Sequence, residues 1–263
     1  MLLEASELAL GYAGEPLIQS VSFQVEPGDV LAVVGHNGSG KSTLAKTLLG
    51  VIPPLGGALN WPQKRPKTIS YLGQRTEFDS RFPLRVRDLA AMGAWHGLGF
   101  LGHLKKGKTG GRDPVQEAME RTNIAHIADY PLHVLSAGQL QRALFARTMV
   151  QDAPLILLDE PFTAIDQTTE AQLLDLIDDW AAEDRAIILV LHDLSAVLQH
   201  CNKALLLGNG RALYGSPREV LTPANLVSHG YISASQATWM EGMYSDKSDE
   251  PTGQTKAKDL SNV

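Results

Sequence analysis

Apolar runs of strand length alternate along the chain with segments whose apolar residues recur at helical spacing, the pattern of a sheet with helices packed on its faces. Val30-Leu31-Ala32-Val33-Val34 is apolar at successive positions. Both faces of such a strand must be buried, which predicts a central, parallel strand. Leu155-Ile156-Leu157-Leu158 and Ala186 to Leu191 read the same way, so three central strands are expected. Earlier strands are expected within Leu2 to Tyr12 and Val21 to Val25, with Pro27-Gly28-Asp29 turning the chain into the first central strand. Between Asp166 and Glu183, Leu173, Leu176, Ile177, Trp180 and Ala181 form the stripe of an amphipathic helix lying on the sheet.

From about Thr76 to Val150 strand signals stop, and helical segments around Val86 to Met92, Pro114 to Thr122 and Gln139 to Val150 predict a helical insert. Inside it, Gly97 to Gly111 is Gly-rich and carries Lys105, Lys106 and Lys108, which reads as a solvated surface loop. Ser216-Pro217-Arg218-Glu219 sets a capping Ser, a Pro at the first helical position and a Glu three residues on, the start of a short helix. Ser245 to Val263 has no aromatic residue and only Leu260 and Val263 as large aliphatics, so a disordered tail is expected.

Composition narrows the function classes. A chain of 263 residues with 44% hydrophobic content can bury a substantial core. The net charge of −6 argues against a smooth basic surface for nucleic acid. Cys201 is the single cysteine, which excludes an intrachain disulfide and any cysteine zinc cluster and suits a reducing compartment. Met1 to Glu7 lacks the basic region of a signal peptide, and the longest aliphatic run, Ala186 to Leu191, is far short of the roughly 20 residues that span a bilayer. No direct membrane insertion is expected, so any membrane role goes through a partner. The histidines other than His192 show no metal-ligand spacing, and no protein-bound zinc is predicted.

Two motifs carry chemistry. Gly35-His36-Asn37-Gly38-Ser39-Gly40-Lys41-Ser42-Thr43 fits G-x-x-x-x-G-K-[ST] between a buried strand and a helical run. In that context the loop N–H groups and the helix N-terminus meet phosphate oxygens, Lys41 reaches the β- and γ-phosphates and the Ser42 hydroxyl ligates Mg²⁺. The second is Asp159-Glu160 closing an apolar strand. Carboxylates emerging from such a run are costly to bury unless a cation or proton donor meets them. Asp159 is then the candidate Mg²⁺ partner, and Glu160 the candidate base that orients the attacking water.

Leu135-Ser136-Ala137-Gly138-Gln139, followed by Leu140-Gln141-Arg142, resembles the signature of ATP-binding cassette (ABC) ATPases, usually Leu-Ser-Gly-Gly-Gln. Ser136 and Gln139 also have the spacing of a helix capping box. The resemblance implies that the Ser136 hydroxyl and the glycine N–H, at Gly138, meet the γ-phosphate held by an opposite subunit, with Gln139 among the nucleotide-binding residues. Ala137 stands in place of a glycine, and if that position needs φ > 0 it costs about 1 kcal/mol or more. On the same resemblance, Tyr12 stacks on adenine, Gln74 contacts Mg²⁺ and water, Asp166 lies in a dimer-contacting loop and His192 touches the γ-phosphate. It runs from about Leu3 to about Val227.

The family resemblance therefore implies an α/β P-loop NTPase of ABC type, with a RecA-like core, an antiparallel β subdomain and a helical subdomain. One nucleotide-binding domain would span 1–232, with its core at about 1–75 and 151–232 and the helical subdomain at about 76–150. A C-terminal extension, 233–263, would be disordered at least from 245. The implied activity is hydrolysis of MgATP by a homodimer. The implied partners are an integral membrane permease and, through it, an extracytoplasmic solute-binding protein, with no nucleic acid. The chain would be cytoplasmic and peripheral on the membrane. Tyr71 to Arg75, Asp79, Phe82 to Asp88 and Asp159 to Asp166 look like zinc and manganese importer ATPases. Zinc is the first expectation, then manganese, then iron or iron chelates. The permease groove is expected around Gln74 to Met92, where Phe78, Phe82 and Leu84 are apolar anchors amid Arg75, Arg81, Arg85 and Arg87. A soluble ABC ATPase acting on ribosomes or DNA, or a P-loop kinase, are the other readings.

Overall fold

Strand β1 (Leu3–Tyr12) reverses at Ala13 and Gly14, both at positive φ (51° and 88°), and returns as β2 (Glu15–Val25). Two central turn residues at positive φ match the right-handed twist of the flanking strands, which brings Tyr12 opposite Glu15. The second strand is therefore longer than the Val21 to Val25 expected. Its first half, Glu15-Pro16-Leu17, is exposed and has no apolar alternation to betray it. The fold was obtained as a computed structural model, in which residues 1–74, 83–96 and 113–245 are described.

The chain continues through β3 (Val30–Gly35), α1 (Lys41–Leu49), β4 (Gly56–Asn60) and β5 (Ile69–Leu72). After α2 (Val86–Ala91), α3 (Pro114–Arg121) and α4 (Ala137–Gln151) come β6 (Leu155–Asp159), α5 (Gln167–Ala182), β7 (Ala186–Val190) and α6 (Leu194–His200). The rest is β8 (Lys203–Gly208), β9 (Arg211–Gly215), α7 (Pro217–Val220), α8 (Pro223–Ser228) and α9 (Ala234–Ser245). One sheet has the order β5-β6-β7-β3-β8-β9, parallel except for β9; a separate antiparallel sheet has the order β2-β1-β4.

The three expected central strands are β3, β6 and β7, and they are adjacent. Alternation within them splits the core in two. Ala32, Val34, Ile156, Leu158, Ile187 and Leu189 face α4, α5 and the helices before them. Leu31, Val33, Leu155, Leu157, Ile188 and Val190 face α1 and the antiparallel sheet. On the first face Trp180 of α5 stacks on Phe145 of α4, ring centroids 5.5 Å apart. At about 25 cal/mol per Å² of buried apolar surface, such aromatic pairs are among the largest single contributions to the core.

Strand β8 is a fourth buried central strand that the sequence reading did not place; Ala204-Leu205-Leu206-Leu207 fits a helix as well as a strand until it is paired with β3. Helices α2, α3 and α4 share one apolar cluster through Val86, Leu89, Val115, Met119 and Phe145. Ser216 and Glu219 form the expected capping box at the start of α7. The Gly97 to Gly111 loop and the tail beyond Ser245 lie outside the described residues.

Candidate active site

The loop after β3 is built by steric need. A Cβ on Gly35 would collide with the Leu207 carbonyl and the Ser39 hydroxyl, and Gly38 and Gly40 hold φ of 83° and 102°. Glycine alone takes all three positions without strain. The amine of Lys41, first residue of α1, folds back and donates to the carbonyls of Gly35 (2.7 Å) and His36 (3.1 Å). Burial lowers its pKa, opposed by the nearby charges of Glu160 and Asp159. The Ser39 hydroxyl is buried without a partner. A buried donor left without a partner in a glycine-rich strand-to-helix loop is one that a phosphate oxygen can satisfy. Asn37 and Ser42 are exposed at the loop's mouth, while Thr43 is buried and its hydroxyl donates to the Tyr12 hydroxyl at 3.3 Å.

Parallel pairing of β6 between β5 and β7 brings the other groups to the same edge. Asp159 is buried at the end of β6, and its pKa is raised by that burial and then by Glu160; Lys41, a hydrogen bond from Tyr71 and His192 partly oppose this. A buried carboxyl held high in this way favours a cation that would restore its charge. Glu160 follows at φ 51°. One of its oxygens lies 2.8 Å from Nε2 of His192, two residues past β7, and the other accepts from the Gln74 amide at 2.5 Å, just past β5. Burial pushes the Glu160 pKa up, but the hydrogen bonds from His192 and Gln74, with the charges of His192 and Lys41, outweigh it and hold it below the usual value. Lys41, Asp159, Glu160, Gln74 and His192 thus form one cluster. Tyr71 belongs to it as well, through its hydrogen bond to Asp159; the sequence singles it out only as part of the importer-like segment Tyr71 to Arg75.

Ser136, Gly138, Gln139 and Asp166 form a second cluster. Ser136 caps α4: its hydroxyl accepts from Gln139 N (3.2 Å), and the Gln139 side chain accepts from Ser136 N (2.9 Å). Asp166 caps α5 by accepting from Thr169 N and Oγ1, both at 2.9 Å, and these bonds lower its pKa. The two helix starts touch at Gly138, where a Cβ would sit 3.1 Å from Thr169 Oγ1. Arg142, one turn further along α4, bonds Gln172 and Thr169 of α5 and clamps the pair. Ala137 is the first residue of α4, with ordinary helical backbone, so the left-handed cost weighed for it does not arise. Among the described residues no hydrogen bond or ion pair joins Ser136, Gly138 or Gln139 to the Lys41 cluster.

A match to the ABC transporter family runs over residues 18–163, more than half of the chain. The chain belongs to that family. As an ABC protein it binds nucleotide and is an ATPase. The manganese transport ATP-binding protein MntA of Synechocystis sp. is 35% identical over 215 residues, 80% of this chain and 82% of that protein. The zinc transport ATP-binding protein TroB of Treponema pallidum is 33% identical over 78% of this chain and 77% of its own length. A solved structure provisionally described as a metal-chelate type ABC transporter, facing inward, superposes with a TM-score of 0.74 at 30% identity, covering 88% of this ABC protein and 89% of that chain. Among the described residues, no helix of this ABC protein is long and apolar enough to cross a membrane.

Proposed function

We propose that this ABC ATPase is the energising subunit of a divalent-metal importer, docked on a separate integral membrane permease at the cytoplasmic face. The carrying observation is Glu160 clasped between Gln74 and His192 beside the Lys41 loop. An ionised Glu160, with its pKa held low, accepts from a water and orients it, while His192 and Gln74 hold that carboxylate in place and touch what lies between them. Lys41, now turned onto its own loop, has burial and position suited to a γ-phosphate. Glycines 35, 38 and 40, with the orphaned Ser39 hydroxyl, fit a triphosphate chain, Thr43 bonds the aromatic Tyr12 on which adenine would stack, and Ser42, Asp159 and Gln74 fit Mg²⁺. When bound, Mg²⁺ supplies charge neutralisation on the phosphates.

Two copies complete each site, the Ser136–Gly138 cluster and Asp166 of one facing the Lys41 loop of the other. Each chain has one of each cluster, so a homodimer is the simplest closed assembly. Residues 1–232 are read as one nucleotide-binding domain and 233–263 as an extension. In the proposed permease groove, Phe78, Phe82, Arg75 and Arg81 lie outside the described residues. Arg85 and Arg87 are exposed and both pair with Asp129, at 3.2 and 2.8 Å, while Leu84 turns toward the core and is less of an anchor than expected.

Zinc is the cargo proposed, with an extracytoplasmic solute-binding protein delivering it. Manganese is the competing cargo, favoured by the names of the Synechocystis relative and of the Bacillus subtilis MntB protein, 31% identical over 85% of this chain and 90% of that one. The test is to identify the membrane protein that copurifies with the chain and to measure uptake of zinc, manganese and iron separately in cells lacking the chain. Loss of zinc uptake alone supports the first cargo and loss of manganese uptake the second. Unchanged uptake of all three, or no membrane protein bound, overturns the proposal.

A further inference from the structure

The carbonyl of His192 accepts a 2.7 Å hydrogen bond from the hydroxyl of Tyr231, a residue 39 positions later in the chain. His192 is therefore held from two sides, its ring on Glu160 and its backbone on Tyr231. The loop it occupies is short, running from the end of β7 at Val190 to the start of α6 at Leu194, with Leu191 buried and His192 and Asp193 exposed. Its other tethers are at its flanks: Leu191 N donates to Val33 O at 3.3 Å, and Asp193 caps α6 through Ser195 N at 2.8 Å. Among the described residues, the bond to the His192 backbone itself comes from the Tyr231 hydroxyl.

Tyr231 is delivered by a stiff turn. After α8, Gly230 takes φ 68° and the N–H groups of Gly230 and Tyr231 bond back to Val227 and Leu226, a helix stop that sets the direction of the next residue. The turn is seated on the end of β8: a Cβ on Gly208 would collide with the His229 carbonyl, and the Asn209 amide donates to Ser228 O at 3.0 Å. Leu226 and His229 are buried. Strand β8 is bonded to β3, the strand that ends in the phosphate loop. A continuous path of contacts thus runs from that loop through β8 and the α8 turn to the backbone of His192. Burial and the nearby charge of Asp193 push the Tyr231 phenol above its usual value, so it stays a donor at neutral pH.

We propose that Tyr231 is a positioning residue for ATP hydrolysis, holding the backbone of His192 so that its ring meets Glu160. This rests on the site reading above and assigns a function to the segment that follows the matched family region. The test is ATPase kinetics on the full chain with Tyr231→Phe, His192→Ala and the double variant, alongside melting curves. Removing one hydroxyl should lower kcat by about 2- to 12-fold, with KM for ATP within about twofold and the melting temperature nearly unchanged. In the His192→Ala background the same change should cost nothing further, read as the single-turnover rate with enzyme in excess. Full kcat in Tyr231→Phe, or an equal loss with and without His192, overturns the inference. Full kcat in His192→Ala overturns instead the site reading on which it rests.

Discussion

The ring nitrogen Nε2 of His192 lies 2.8 Å from Oε1 of Glu160, although the two residues are 32 positions apart and follow the ends of neighbouring strands. Glu160 sits in left-handed backbone at φ 51°, a conformation that costs a non-glycine residue about 1–3 kcal/mol and tends to persist at functional sites. Glu160→Gln keeps the shape but removes the ionised acceptor. It should slow turnover about 10²- to 10⁴-fold and leave an ATP-bound dimer visible by size-exclusion chromatography. Normal turnover would strip Glu160 of its role.

The signature segment separates two small residues that look interchangeable in sequence. Ala137 is an ordinary first helical residue, whereas Gly138 faces Thr169 and Asp166 at close range. Ala137→Gly should therefore leave ATPase activity unimproved and cost up to about 1 kcal/mol in denaturant unfolding. Gly138→Ala sets a Cβ 3.1 Å from Thr169 Oγ1, which also holds Asp166; we expect the helix-propensity gain of about 1 kcal/mol to be offset by the displaced Thr169, with no net stabilisation and weaker ATP-induced dimerisation. Equal effects for the two changes would contradict this packing.

The β1–β2 turn has room for improvement. Ala13 at φ 51° pays for left-handed backbone that Asn tolerates well, and Asn-Gly is the favoured pair for such a turn. Ala13→Asn should stabilise the chain by about 0.5–1 kcal/mol, seen as a higher urea midpoint at unchanged slope. A lower midpoint would show that the turn is not of this type.

Cys201 is buried, and burial, with Asp178 nearby, pushes its thiol up from 9.0 to about 12. Because the folded value is the higher one, its stabilising contribution is complete below pH 9 and is lost as pH rises from there toward 12. Wild-type protein should therefore lose stability over that window more steeply than Cys201→Ala, and iodoacetamide should label Cys201 slowly at pH 8 unless denaturant is present. Rapid labelling of the native chain would refute this burial.

Some parts of this protein were legible in advance because their chemistry is local. The phosphate loop needs glycines, Lys41 and Ser42 at fixed offsets between a strand and a helix, so nine consecutive residues suffice to recognise it. Strands β3, β6 and β7 were readable because burial on both faces demands unbroken apolar runs. Strands β4 and β9 were not, since their residues are mostly exposed or half-buried and carry no such demand. Strand β8 needed its partner β3 to tell it from a helix.

The residue types proposed to touch nucleotide, and the order in which they occur, were thus already written in the one-dimensional chain. Which of them meet was settled by strand pairing: the parallel register of β5, β6 and β7 carries Gln74, Glu160 and His192 to one sheet edge. Packing then added Tyr71 beside Asp159, Arg142 between two helix starts, and Tyr231 behind His192. These last contacts join residues far apart along the backbone through single hydroxyls or guanidinium groups, and such groups leave no periodicity or spacing by which a linear reading could find them.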